Sequence, residues 1–344
     1  MIELLDDALV FRSPEVHRAA EFTMSFQRTL RIPDDGRTYP LPAGLGRFGL
    51  RHIDDFGSRV PARWNARGGV MMPMYQAEAM WLNFNCSYPW AVKIAAGLIN
   101  AVTGDSWDTD LHRGESPSHI RRPDADEPVQ DYVTIPEQPW LDGFNVGSGK
   151  IRQFVAMPLG GGHSAEEQVT GRAEHGGLQL LAYPMKADAY EKWRLPDPTE
   201  FSLAYDGSPD AAIAMSAAPD MGLGLGGLMH QDIYADPFDA DVWDLAHPSR
   251  CFVHLANSAQ WAQITGEAAP TPPPTAADYA RAHIPWFDYY ASGEALPGSE
   301  ALAALKSVAT ISAEQGDEAF DTGSIPIDRV TVVRPHTNRV SERW

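Results

Sequence analysis

Between residues 20 and 32 the chain alternates apolar and polar side chains almost without a break. Ala20, Phe22, Met24, Phe26, Leu30 and Ile32 share one parity, while Glu21, Thr23, Ser25, Gln27, Thr29 and Arg31 share the other. Successive side chains of a strand point to opposite faces, so this run is a long β-strand with one buried and one wet face. Only Arg28 interrupts the apolar face. Pro33-Asp34-Asp35-Gly36 then ends the strand in a turn, because proline fixes φ and glycine accepts a positive φ.

Shorter apolar runs punctuated by Gly and Pro follow at residues 80–84, 91–95, 132–135, 151–159 and 178–183, then at 211–215, 251–255 and 329–333. Residues 98–102 return after Gly97 as the second arm of a hairpin. Helix signals are fewer. Ser164 and Glu167 spell a capping box, Thr275 with Asp278 starts a helix after the Pro270-to-Pro274 run, and residues 299–309 carry Leu302, Leu305 and Val308 on one stripe. This pattern predicts a mixed α+β, β-dominated fold: an antiparallel sheet system, sandwich or distorted barrel, with a few helices in the C-terminal half.

With 344 residues the chain is long for one core. The expected division is a β-rich domain at 1–192 and a mixed strand/helix domain at 210–344, separated by a Pro-, Asp- and Gly-rich stretch; packing of both as one unit is left open. Residues 104–128 form a polar, acidic excursion without apolar periodicity. Its Asp105–Asp110 portion lacks calcium-loop spacing and reads as solvated loop acids. Met71, Met72, Met74 and Met80 read as core filler.

A net charge of −19 repels phosphate backbones and anionic lipid, which argues against nucleic-acid and membrane-surface partners. No run approaches the ~18 apolar residues of a membrane span, and the acidic start at Met1 does not resemble a secretion signal. A cytoplasmic location is the expectation. Cys86 and Cys251 make no disulfide framework or zinc spacing and read as buried, inert thiols.

Three glycine-rich segments carry a histidine: Gly160-Gly161-Gly162-His163, Glu174-His175-Gly176-Gly177, and residues 222–227 followed by His230 and Asp232. Glycine lets a loop approach a ligand closely, and imidazoles and carboxylates are metal ligands and acid–base groups. If these loops converge, His163, His175 and His230 hold a divalent metal such as zinc, with Glu167, Glu174 and Asp232 as catalytic carboxylates. Residues 222–227 also spell GxGxxG, but no convincing helix follows, as a dinucleotide fold requires. Nucleophile elbows, P-loops and zincin spellings are absent from the sequence. Trp286 and Tyr289, beside Asp288, offer an aromatic binding surface.

The first expectation for function is a soluble, non-catalytic binding or assembly protein. Its partner would be a protein, a small molecule or a carbohydrate, and a homo-oligomer is left open. The alternatives are a metal-dependent hydrolase using the Gly/His loops and a carbohydrate-binding protein using Trp286 and Tyr289.

Overall fold

The chain opens with a hairpin of β1 (Ile2–Leu5) and β2 (Ala8–Arg12), and the alternating run becomes β3 (Glu21–Thr29). The computed structural model describes residues 1–114, 129–193, 220–289, 294–317, 327 and 330–333. The expected strand at 211–215, the boundary beyond Trp193 and residues 115–128 of the acidic excursion lie outside them. Phe22, Met24 and Phe26 of β3 are buried as the alternation requires, but Ser25 and Thr29 of the opposite parity are buried too. Residues Gly44–Arg47 pair along β3, and the Thr29 hydroxyl donates to the Ala43 carbonyl, so the polar face is partly covered. Arg28, the exception on the apolar face, donates from Nε to Oε1 of the fully buried Glu78 at 2.6 Å. A cation inside a core needs such a partner.

Further along come β4 (Val70–Met74), β5 (Ala79–Cys86), β6 (Trp90–Ala96), β7 (Val133–Ile135), β8 (Lys150–Pro158), β9 (Leu178–Pro184), β10 (Asp220–His230) and β11 (Ser249–Asn257). Antiparallel ladders link them in the spatial order β1-β2-β3-β5-β8-β10-β11-β9-β6-β7, with β4 parallel to β11. With smaller strands, seventeen of the described strands form one sheet. It curls on itself until the ring of Phe22 on β3 lies 5.0 Å from that of Trp90 on β6. The fold is therefore mixed α+β and β-dominated with a large antiparallel sheet. Strands from either side of residues 193–210 are bonded neighbours in it: β8 pairs with β10, and β9 with β11.

Residues 222–227, read from sequence as a ligand-wrapping loop, are instead the middle of β10. A Cβ on Gly224 would lie 2.5 Å from the His163 carbonyl oxygen and 2.7 Å from a Val308 methyl, and one on Gly227 would lie 2.4 Å from the Pro33 carbonyl oxygen. These glycines serve close packing of neighbouring chain onto the strand.

The capping box expected at Ser164 forms for the helix α1 (Ala165–Thr170), and the helix start expected at Thr275 forms too, as a second capping box, for α2 (Ala276–Arg281). The single helix expected over 299–309 is instead two, α3 (Glu300–Ala303) and α4 (Val308–Gln315). The Ser307 hydroxyl accepts from the Thr310 amide, so a fresh N-terminus forms where the stripe alone suggested continuity. A separate small sheet joins β12 (Trp286–Tyr289) to β13 (Val330–Val333) and to Leu41–Pro42.

Candidate functional site

The Gly/His residues engage separate partners. His163 is buried with Nε2 3.2 Å from Ser312 Oγ, and burial lowers its pKa. Glu167 accepts from the Gly160 and Gly162 amides and the Ser164 hydroxyl at 2.7 to 3.0 Å, which ties up its carboxylate in shaping that loop. Glu174 is exposed beside Arg172, His230 is exposed at the end of β10, and Asp232 is half-buried. No trio drawn from these six residues brings its ligand atoms together among the described residues. His175 is the member with a developed environment.

Around His175 the local geometry is tight. Glu166, nearly fully buried on α1, accepts from the His175 and Gly176 amides and lies 2.9 Å from His175 Nδ1. A Cβ on Gly97 would collide with this carboxylate at 2.3 Å, so the hairpin turn between β6 and residues 99–100 must be glycine. In the neutral imidazole that donates Nδ1–H to Glu166, Nε2 is an acceptor, and the side chain is 21% exposed.

Arg67, at the end of the helix Ala62–Arg67, is within electrostatic range of Glu166. Trp64 roots this helix: its ring is buried, stacks 4.8 Å from His254 and donates Nε1–H to Asp220, which also pairs with Arg63. His254 lies 3.0 Å from the Gly68 carbonyl, and burial pushes its pKa down to about 4. Gly68 and Gly69, both at positive φ, then turn the chain into β4. A Cβ on Gly69 would sit 2.2 Å from the Phe252 carbonyl oxygen, so only glycine allows this approach.

That approach brings Arg67 over the Phe252 ring, 5.8 Å from its centroid, and Arg250 lies over the same ring at 5.3 Å. The two guanidiniums are the cationic groups of a cleft of about 270 Å³, lined also by His52, whose apolar wall includes Ile2, Leu4 and Val70. Among the described residues neither arginine forms a salt bridge, although Glu166 and Glu174 act on Arg67 at longer range, whereas Arg12, Arg28, Arg51, Arg63 and Arg152 each form one. Burial lowers the pKa of Arg67. Sequence reasoning missed Arg67, Arg250 and Glu166. The only local signals were the Gly68-Gly69 pair and the capping box that contains Glu166.

A second charged cluster lies at the root of the acidic excursion. Lys93 of β6 is 1% exposed and donates to Asp108 Oδ1 at 2.8 Å, to the Asp110 carbonyl, and to Asp131 Oδ2 at 2.7 Å. His112 Nε2 lies 3.0 Å from Asp108 Oδ2, and its amide donates to Asp131. Immediately outward, Arg113–Gly114 pairs with Val129–Gln130. Of the acids read from sequence as solvated, Asp110 is exposed, but Asp105 is buried and Asp108 neutralises a buried lysine. Burial raises the pKa of Asp131 despite Lys93, while at Asp108 burial is outweighed by the bonds and charges of Lys93 and His112. Asp108, His112 and Asp131 offer ligand atoms within 4.8 Å of one another, a donor set that suits a divalent ion. The Lys93 ammonium already occupies the cationic position, and a second cation a few ångströms away would meet repulsion on the order of several kcal/mol.

Trp286 is 2% exposed, packed by the rings of Tyr39 and Tyr279, and offers no open stacking face. Tyr289 packs edgewise on Trp140 at 4.6 Å, with its pKa pushed up to about 12 by burial. No helix among the described residues is long and apolar enough to cross a membrane. No protein-family model, curated protein or solved structure matches the chain.

Proposed function

We propose that the chain is a non-catalytic binding protein that takes a small molecule into the cleft between Arg67 and Arg250. One observation carries this reading: two guanidiniums lie over the Phe252 ring at an open cleft and form no salt bridge among the described residues. Cations left unpaired in a chain of net charge −19 are free to meet a ligand. The test is a ligand-observed NMR screen of a chemically broad fragment set, run on the wild type and on an Arg67→Gln/Arg250→Gln variant. Fragments bound by the wild type and lost by the variant support the reading; identical profiles overturn it.

A second reading, hydrolysis, draws on the Glu166–His175 pair. A histidine held through Nδ1 by a buried carboxylate presents Nε2 as a general base toward water or a hydroxyl. Turnover of any ester or phosphoester that His175→Ala abolishes, without loss of fragment binding, favours this reading. Metal analysis of the same protein then separates a metal-dependent enzyme from a metal-independent one.

A further inference from the structure

Resting on the binding reading, we infer that the ligand of the cleft is a small organic monoanion: a carboxylate carrying an apolar body. The guanidinium fork matches a carboxylate geometrically, and lying over a ring consumes none of its N–H donors. Both forks line the same cleft, and each offers a carboxylate a bidentate seat there. The rest of the cleft specifies what is attached to it. Ile2 and Leu4 of β1, Val70 of β4 and Phe252 itself present hydrocarbon, which a bare inorganic anion cannot use.

Charge at the rim narrows the class further. Glu3 and Asp54 line the same cleft. Glu3 already pairs with Arg12, while Asp54 is exposed. Together with the net charge of −19, these acids repel polyphosphates and nucleic acids more strongly than a single carboxylate. The cleft volume of about 270 Å³ suits a small molecule rather than a polymer.

The experiment is an NMR titration of the full chain with benzoate, inorganic phosphate and benzylammonium, following the side-chain signals of Arg67, Arg250 and Phe252. Benzoate is expected to bind, phosphate to bind at least about tenfold more weakly because it buries no apolar surface, and benzylammonium not to bind because an ammonium offers the guanidiniums no acceptor. Arg67→Gln and Arg250→Gln should each weaken benzoate by about tenfold, the loss of one charge-assisted hydrogen bond. Leu4→Asp should weaken benzoate and leave phosphate unchanged. Arginine-dependent binding of phosphate as tight as that of benzoate overturns the ligand class and leaves the cleft as a binding site. If none of the three probes moves the Arg67, Arg250 or Phe252 signals, both the class and the binding reading fall.

Discussion

Around Lys93 every charge finds its partner inside the fold, whereas around Phe252 two guanidiniums lie over one ring and neither forms a salt bridge among the described residues. The first arrangement is closed. Its ammonium is 1% exposed and joins β6 to the chain on both sides of the 115–128 excursion. The second is open, and its arginines come from segments fixed by other contacts, the Trp64 anchor and the β9–β11 ladder. A buried pair gains little net free energy when made but is expensive to break, because the surviving charge stays out of water. A half-open cation costs the fold little and keeps its donors for something else. The difference separates charges that specify the structure from charges that remain for a ligand.

Three experiments bear on this contrast. The largest effect belongs to Lys93→Met, which strands Asp108 and Asp131 and should cost about 3–5 kcal/mol in urea unfolding. Adding Asp131→Asn should recover part of that loss. A cost below about 1 kcal/mol would show that the closed cluster is no more structural than an exposed pair.

The next effect concerns Asp142, a buried acid whose side-chain bond is to the neutral Gln231 rather than a cation. Burial pushes its pKa up to about 7, with the bonds from Gln231 and Trp140 opposing. The folded value lies above the unfolded one, so this group's contribution is complete below about pH 4 and is lost as pH rises through about 7. His254 runs the other way: its folded value of about 4 lies below the unfolded one, so its contribution is complete above about pH 6.5 and lost as pH falls through about 4. Asp142→Asn, which keeps an acceptor for Gln231 without a charge, should match the wild type at pH 4 and exceed it at pH 8 by about 4 kcal/mol. Urea midpoints across that range provide the check, and a constant gap would reject a buried, uncompensated acid.

The smallest effect is expected at the cleft. Arg250→Gln should alter stability by no more than about 0.5 kcal/mol, as at other surface positions. A large loss in thermal or urea unfolding would mean that this arginine belongs to the structural class after all.

The strand β3 was legible because a half-buried strand writes its period of two into adjacent residues, and the helix starts at Ser164 and Thr275 were legible because their partners lie three residues apart. The methionines read as core filler, Met71, Met72, Met74 and Met80, are all buried. What stayed illegible depends on distant partners. Nothing near Lys93 announces Asp131, and nothing near Arg67 announces Arg250. The glycines of β10 read as a loop because their meaning lies in His163, Val308 and Pro33, which approach from elsewhere. His163 and Glu167 looked available because their spelling does not reveal Ser312 or the Gly160 and Gly162 amides.

That glycine strand has a further consequence for the chain. Between residues 222 and 227 β10 supplies little side-chain volume of its own, and its covering comes from His163–Ser164 and from α4, whose Val308 sits where a Cβ on Gly224 would be. Helix and strand are therefore fitted to each other as a cover is to a bare strip. A chain shortened before Ser299 would lose the Val308 part of that cover and bare paired backbone beside Gly224, the kind of surface on which sheets of separate molecules stack and cohere.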